Sequence, residues 1–339
     1  MWIIILCFIV LLLLFSDCSL TAAIDAIELI AYTLVPSLFP FFVLTNLLTR
    51  VGKISLLTGF FCGYPSGAMA CAQLYQTGKI SKNEALRYSM FTSNAGPSFL
   101  ISAIGIGMCA SKAIGFLLLG IHLAAAFTVA LIAWRCFPKE QTHIMQNIVQ
   151  TQARPLGMQL TEAITIAIKQ IGVVCGYVLI FSVLLGILQA LGINSPILFS
   201  LLEITTGMNS LLTPLGSSAS MPALLTLLPF VAVLLGFSGL CIHAQIIAIL
   251  NNAGLPARFF TIGKILQAFF SGLYTYILLQ IPSIYNLLLH SSITTSVLPE
   301  SLSSPTSAFG LQLLLVEITL TLAVYCGDFK QKLKQRALL

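Results

Sequence analysis

The chain has 339 residues, of which 58% are hydrophobic and 8% are charged, with a formal net charge of +6. A soluble domain carries about 25% charged residues, so this composition excludes a soluble globular protein. The basic residues lie between apolar runs rather than in one patch, which argues against nucleic-acid binding. The nine cysteines form no Cys-x-x-Cys pair, so neither a structural zinc site nor a disulfide framework is expected. We predict an all-α polytopic membrane protein.

The first predicted element is a transmembrane span at the N-terminus, within residues 1–18. It lacks the basic start and the Ala-x-Ala cleavage site of a signal peptide, so we expect it to be retained. Residues 19–35 follow as an amphipathic outer segment, and residues 36–49 return to the inner side. This orientation takes the basic C-terminal tail as cytoplasmic, according to the positive-inside rule.

Residues 54–75 are predicted to form a re-entrant hairpin. If they crossed the membrane, the basic residues before and after them would face opposite sides. If they dip in and return, all of these residues are cytoplasmic, namely Arg50, Lys53, Lys79, Lys82 and Arg87. The Gly-Tyr-Pro-Ser-Gly sequence in the middle favours reversal, because glycine permits unusual backbone angles and proline removes a hydrogen-bond donor.

The remaining elements are predicted in the same order as the first ones. Residues 88–108 form an interrupted span to the outside, 113–134 return, and 135–155 are a cytoplasmic linker. The second half then contains, in order, an amphipathic segment at 156–170, a span at 171–191, a second re-entrant hairpin at 195–215, an interrupted span at 222–250 and a span at 264–281. Residues 282–308 are an outer Ser/Thr-rich loop, and 309–339 hold the last span and the basic tail. Of the Lys and Arg residues, this topology places only Lys112 outside.

Two units of opposite orientation result, 19–134 and 156–281. Inverted repeats with broken helices are typical of secondary transporters, in which the solute binds near the midplane between the repeats. We therefore expect a solute site between the two hairpins.

Four helix breaks, at 63–67, 94–97, 205–207 and 236–239, supply the candidate site. Unpaired backbone groups are tolerated in hydrocarbon only around a polar cavity or ligand. The alternative is that Gly and Pro only kink helices or let them pack closely. We predict no catalytic residues and no metal ligands. The predicted solute-binding residues are Gly63, Tyr64, Pro65, Ser66, Gly67, Asn94, Ser98, Glu203, Thr205, Thr206, Phe237, Ser238 and Gly239.

Glu203 is the strongest single candidate, because an ionisable group inside a membrane is a functional candidate by default. It would bind solute, a coupling cation or a proton; the alternative is a shallow hairpin in which Glu203 reaches water.

Glu317 in the last span is expected to pair structurally with a neighbouring helix. His243 either reaches the cavity or is hydrogen-bonded in the interior, and His122 is expected to be packed.

No enzyme signature is present. The chain has no Walker A sequence, no His-Glu-x-x-His and no Gly-x-Ser-x-Gly. We expect neither an enzyme nor a cofactor.

Five stretches carry a family resemblance: LVPSLFPFFVLTNLL, GYPSGA, NAGPSFLISAIGIGM, LLEITTG and GFSGLCIHAQ. Together they resemble the sporulation integral membrane protein YlbJ family, which belongs with the nucleoside-recognition, or Gate, domains. The resemblance covers roughly residues 30–280. It implies a fold like that of concentrative nucleoside transporters, with paired hairpins and interrupted helices. It also implies a multi-pass protein of the bacterial cell membrane with a role in sporulation.

By this resemblance, residues 63–68 correspond to the solute loop of the first hairpin. Glu203 corresponds to the acid of the second hairpin, and 236–240 to the unwound helix after it. Nucleoside transporters have Gln-Thr-Glu where this chain has Tyr64, Pro65 and Ser66, and Asn where it has Gly239. The implied partners are the lipid bilayer, a small polar, nucleoside-like solute and a coupling cation, with a homo-oligomer as a further option.

Two other functions remain open. The Gate of bacterial ferrous-iron transporters has Gly-Phe-x-Cys-x-x-Pro, matched here by Gly59, Phe60, Cys62 and Pro65. A non-transporting scaffold for spore cortex assembly is the third reading. A nucleoside-like carrier requires Glu203, an iron path requires Cys62, and a scaffold requires neither.

Overall fold

The computed structural model describes residues 2–48, 52–137, 155–218 and 221–291. Within these ranges every regular element is helical, which confirms the all-α prediction. The predicted last span, with Glu317, the outer loop after 291 and most of the 135–155 linker lie outside the described residues.

The described N-terminal part comprises seven α-helices, two π-helical segments and one 3₁₀-helix, Lys53–Leu57. The first π-helical segment is Ile30–Leu34 and the second is Phe99–Met108. The α-helices are α1 (Trp2–Leu14), α2 (Ser16–Leu29), α3 (Val35–Leu48), α4 (Thr58–Phe61), α5 (Ser66–Gln76), α6 (Lys82–Ser89) and α7 (Lys112–Cys136).

The described residues from 155 to 291 form seven further α-helices. They are α8 (Leu156–Ala190), α9 (Pro196–Leu202), α10 (Ile204–Ser218), α11 (Met221–Phe237), α12 (Gly239–Asn252), α13 (Arg258–Leu279) and α14 (Pro282–Leu289).

Four helical stretches of the described residues are long and apolar enough to cross a membrane. They are Lys112–Cys136, Leu156–Ala190, Met221–Asn252 and Arg258–Leu279. The pair Ile5–Leu14 and Ser16–Tyr32, bent by 97°, becomes a fifth if it is counted as one span. Large apolar side chains on these helices are more than half exposed, among them Phe127, Trp134, Ile180 and Phe269. Such surfaces require lipid as solvent, so the chain is a polytopic membrane protein.

Helix α8 differs from the predicted pair of a surface segment and a separate span. It runs without interruption through 35 residues. At 1.5 Å per residue it is about 50 Å long, whereas the hydrocarbon core is about 30 Å thick. No glycine or proline break separates 156–170 from 171–190, and the polar residues that suggested a boundary are accommodated within one continuous helix.

The first predicted break lies between α4 and α5, at residues 62–65. Gly63 has a φ of +83°, and a Cβ added there would lie 3.1 Å from the backbone nitrogen of Gly96. A Cβ on Gly59 or Gly67 would lie 1.7 Å or 2.0 Å from the carbonyl oxygen of Thr92. The α4–α5 unit therefore packs directly on the second break, the non-helical stretch before the π-helical segment Phe99–Met108.

The third break lies at Glu203 and not at 205–207 as the sequence predicts. Glu203 has extended backbone angles between α9 and α10, and Thr205, Thr206 and Gly207 form the first turn of α10. A Cβ on Gly207 would lie 2.1 Å from the Cα of Ser200, so α9 and α10 are in close contact. The break is shifted because the Glu203 side chain accepts hydrogen bonds from the first amides of α10, which an N-terminal capping residue does.

The fourth break lies at Ser238, between α11 and α12, as predicted. Ser238 and Gly239 both have positive φ, 78° and 75°. A Cβ on Gly239 would lie 3.2 Å from the carbonyl oxygen of Ser200 and 3.3 Å from the nitrogen of Ile204. The start of α12 therefore lies against the α9–α10 junction.

Candidate functional site

The candidate site is built around Lys264, which the sequence analysis does not include among the site residues. The charge pattern predicts an inner, loop-adjacent position for it; the structure instead places it in the second turn of α13 with no exposed surface. Its Nζ donates to the hydroxyl of Tyr64 at 3.1 Å and to Oε1 of Gln267 at 2.7 Å. The same atom lies 4.9 Å from the centre of the Tyr64 ring. Within the described residues Lys264 forms no ion pair.

Tyr64 connects this lysine to the fourth break. Its hydroxyl forms a hydrogen bond with the hydroxyl of Ser238. The Ser238 hydroxyl donates to carbonyl oxygens of α11, those of Leu235 at 3.3 Å and Gly236 at 3.4 Å. Tyr64 therefore donates to Ser238 and accepts from Lys264, which joins the first and fourth breaks through two side chains.

Gln267 connects Lys264 to the second break. Its Nε2 donates to Oδ1 of Asn94 at 2.9 Å and to the carbonyl oxygen of His122 at 3.2 Å. Asn94 is held in turn by a bond from its Nδ2 to the carbonyl oxygen of Phe91 at 2.8 Å and from its backbone nitrogen to Gly59 at 3.2 Å. These bonds fix the Gln267 amide so that its oxygen faces the lysine.

His122 belongs to the same cluster, whereas the sequence predicts only that it is packed. Its Nε2 accepts a hydrogen bond from the backbone nitrogen of Ala95 at 3.2 Å and lies 3.2 Å from Nε2 of Gln267. An Nε2 that accepts carries no proton, so the ring is the neutral Nδ1–H tautomer. Among the described residues its Nδ1 has no hydrogen-bond partner. His122 thereby satisfies an amide that the helix break leaves free.

Within the described residues, Glu203 forms no hydrogen bond or ion pair with the Lys264 cluster. Only 6% of its surface is exposed, so the alternative in which it reaches water through a shallow hairpin is wrong. Its Oε1 accepts from the backbone nitrogen of Thr205 at 3.0 Å and its Oε2 from that of Thr206 at 2.7 Å. Both carboxylate oxygens and both threonine amides are thus engaged at the N-terminus of α10.

The other predicted site residues shape the breaks. Ser66 donates from its hydroxyl to the carbonyl oxygen of Gly63 at 2.6 Å, which closes the turn before α5. Pro65 and Gly67 are buried beside it, and Ser98 is half-buried at the start of the π-helical segment. Gly63 and Gly239 are close-contact positions. Phe237 stacks on His243, with 4.5 Å between ring centres.

His243 is buried behind the fourth break. Its Nδ1 donates to the carbonyl oxygen of Gly239 at 2.9 Å, while its Nε2 has no hydrogen-bond partner in the part of the chain that the structure describes. The ring lies between Phe237 and Phe260. Both alternatives of the sequence analysis, a hydrogen-bonded interior histidine and a site residue, are thus compatible with its position.

The sequence does contain a signal for Lys264 and Gln267. Four polar residues of α13, spaced three or four apart on one helix face, are fully or almost fully buried: Lys264, Gln267, Ser271 and Thr275. A polar stripe of this spacing in an apolar span indicates an inward-facing polar surface. The stripe is missed when Lys264 is used only to assign a cytoplasmic side to the start of this span.

For the iron path, Cys62 is the relevant residue. It is buried beside the first break, with 3% of its surface exposed. No group of three or more His, Cys, Asp or Glu residues in the described ranges is arranged to hold a metal ion.

Comparison with known proteins gives one informative match. No family model matches the chain, and no solved structure matches it. The sporulation integral membrane protein YlbJ of Bacillus subtilis (strain 168) is 26% identical over 304 residues, which cover 72% of this chain and 73% of that protein. The similarity extends over most of both sequences, and the described part of this chain is a helical membrane protein. The chain is thus similar, over most of its length, to a sporulation integral membrane protein.

Proposed function

We propose that this protein is a sporulation-associated membrane transporter or binder of a small polar solute, held between the helix breaks at Lys264. The observation that carries the proposal is a fully buried lysine with two neutral hydrogen-bond partners at the meeting point of three breaks. The Gate resemblance points to a nucleoside-like solute. Because Lys264 is a hydrogen-bond donor in this site, we infer that the solute presents an acceptor-rich or anionic group to it.

The physical reason is the cost of burying an ammonium group. Removing such an ion from water costs several kcal/mol, which neutral hydrogen bonds repay only in part. Lys264 has three N–H donors when charged, and Tyr64 and Gln267 accept from it. An acceptor of the solute would supply the third bond and the missing negative charge.

The arrangement of the breaks supports a carrier built from two related units. The α4–α5 unit packs on the second break through Gly63, and the α9–α10 unit packs against the fourth break through Gly239. We propose that these units are the two re-entrant hairpins of an inverted repeat. Alternating exposure of a midplane site then follows from movement of one repeat against the other. In this topology the C-terminus is cytoplasmic.

The test replaces the lysine and a matched surface lysine. Lys264→Gln removes the charge from the site, whereas Lys82→Gln removes one from the exposed side of α6. Losing one partner of a buried polar contact costs roughly 2–5 kcal/mol, enough to abolish function. We expect Lys264→Gln to fail and Lys82→Gln to succeed in restoring sporulation to a deletion strain, at equal membrane abundance.

Full restoration by Lys264→Gln would remove the carrier proposal and favour the scaffold for spore cortex assembly. Loss of function in Cys62→Ser alone would favour the ferrous-iron path instead.

A further inference from the structure

We propose that Lys264 is also the proton site that couples solute movement to proton movement. In this mechanism Lys264 is an uncharged amine when the site is empty and takes up one proton when the solute binds. The inference rests on the proposed function, in which a solute occupies the site, and it identifies the coupling cation as a proton.

The partners of Lys264 suit both protonation states. The oxygen of Gln267 accepts an N–H from an ammonium or from an amine, since an amine keeps two N–H groups. The Tyr64 hydroxyl accepts from the ammonium and donates to Ser238; it can instead donate to the lone pair of the amine. A carboxylate partner would hold the lysine in its charged form. Neither described partner is a carboxylate.

In the described ranges, few other titratable groups lie around the lysine. Helix α11, which packs along α13, has none. Two histidines are close enough for their charges to interact with Lys264: His122 of α7 and His243 of α12. Both would repel a charged lysine if they were protonated. Neither can supply its counter-charge.

The remaining titratable groups on the helices that pack against α13 have other surroundings. On α6, Glu84 interacts with Lys53 and Arg87. Lys112 and Arg135 lie near the two ends of α7. Glu203, at the junction of α9 and α10 and on none of these helices, is bonded to the amides of α10. The other groups on these helices are Lys82, Tyr88, Cys136, Arg258, Tyr274, Tyr276 and Tyr285.

The coupling follows from charge balance. An acceptor-rich or anionic solute stabilises the charged lysine, and a charged lysine stabilises the bound solute, so each favours the binding of the other. The proton comes from the aqueous side to which the site is open and leaves with the solute on the opposite side. The empty carrier then returns without a buried charge.

The first experiment measures protonation in the absence of solute. The melting temperatures of the purified full-length protein in detergent are compared between about pH 6 and about pH 9 for wild type, Lys264→Met and Lys82→Met. The unfolded chain binds a proton on lysine throughout this range, whereas the proposed empty site does not. Wild type should therefore lose several degrees relative to Lys264→Met as the pH falls, while Lys82→Met stays parallel to wild type. Parallel curves for wild type and Lys264→Met would overturn the proposal.

The second experiment separates proton coupling from solute binding. Arginine stays charged under all conditions, so Lys264→Arg keeps the charge and cannot cycle a proton. We expect both Lys264→Arg and Lys264→Gln to fail in the sporulation assay at normal abundance. Full function of Lys264→Arg with loss in Lys264→Gln would overturn proton coupling and leave the proposed function intact. Full function of Lys264→Gln would overturn both.

Discussion

At the scale of single residues, the two buried ionisable side chains near the breaks, Lys264 and Glu203, have different surroundings. Within the described residues Lys264 has only neutral partners and joins three breaks, whereas the carboxylate of Glu203 is bonded to two backbone amides at the start of α10. A carboxylate at a helix N-terminus is stabilised by the free amides and by the helix dipole. The structure therefore favours a structural role for Glu203, while the sequence favours a solute or cation role.

Glu203→Gln separates these two roles. Glutamine keeps one oxygen acceptor but loses the charge, so loss of the cap should destabilise the protein by about 0.5–2 kcal/mol. We expect a lower melting temperature and reduced membrane abundance, with activity per molecule retained. Normal abundance and a normal melting temperature with abolished function would contradict this and restore Glu203 to the solute or cation site.

At the scale of elements, close helix contacts depend on small residues. A Cβ on Gly236 of α11 would lie 2.7 Å from the Cα of Ala268 in α13. A Cβ on Gly105, in the second π-helical segment, would lie 2.5 Å from the Cα of Gly115 in α7. The Gly236 contact brings α13, and Lys264 with it, close to the fourth break.

Gly236→Ala should disrupt the α11–α13 contact. Backbone atoms cannot move aside as a flexible side chain can, so we expect a loss of about 1–3 kcal/mol in the free energy of unfolding. Gly172→Ala in α8 is the control, because a Cβ there meets nothing within 4 Å. Alanine favours a helix over glycine, so this control should be neutral or slightly stabilising. Equal melting temperatures for the two variants would contradict the close contact.

Helix α6 offers a pH-dependent element outside the spans. Ser81 and Glu84 form a capping box, and Lys53 bonds to Glu84. Burial raises the pKa of Glu84, but the hydrogen bonds from Lys53 and from the Ser81 amide outweigh it and hold the pKa below its ordinary value of 4.5. A lowered pKa contributes stability above the unfolded-state value, and this contribution is lost as the pH falls through the folded-state value.

Glu84→Gln should therefore cost stability at neutral pH and less in acid. An exposed ion pair contributes about 0.2–1 kcal/mol, so the difference in melting temperature from wild type should be small. We expect this difference to shrink as the pH is lowered through the carboxylate range. A difference that stays constant with pH would show that the charge of Glu84 is irrelevant.

At the scale of the whole molecule, the helix breaks could be predicted from the sequence, but the contacts between distant parts of the chain could not. Gly-Tyr-Pro-Ser-Gly and Ser-Asn-Ala-Gly-Pro mark breaks because glycine and proline act on their own backbone. Glu203 displaced a predicted break because the position of a capping acceptor, not the nearest glycine, sets the helix start. The contact between Tyr64 and Lys264 joins residues 200 positions apart, which no local pattern specifies.

The topology is a further prediction at this scale. We expect Lys112 and Ser292 to be extracytoplasmic and Lys82, Lys139 and Lys334 to be cytoplasmic; Ser292, Lys139 and Lys334 lie outside the described residues. Single cysteines at these positions are probed with an impermeant thiol reagent in a background without the exposed Cys7, Cys18 and Cys136. Labelling of position 82 from outside would contradict the re-entrant α4–α5 unit, because that unit would then cross the membrane.

The central claim is that Lys264 contacts a solute between the helix breaks. The most direct measurement is an experimental structure of the protein purified from sporulating cells, at a resolution that shows side chains. We expect density for a small polar molecule within hydrogen-bond distance of the Lys264 Nζ, in a site lined by Tyr64 and Ser238. A carboxylate of the protein itself bonded to Nζ, with Glu317 as the first candidate, would contradict it, because the lysine would then be structurally neutralised and would need no solute.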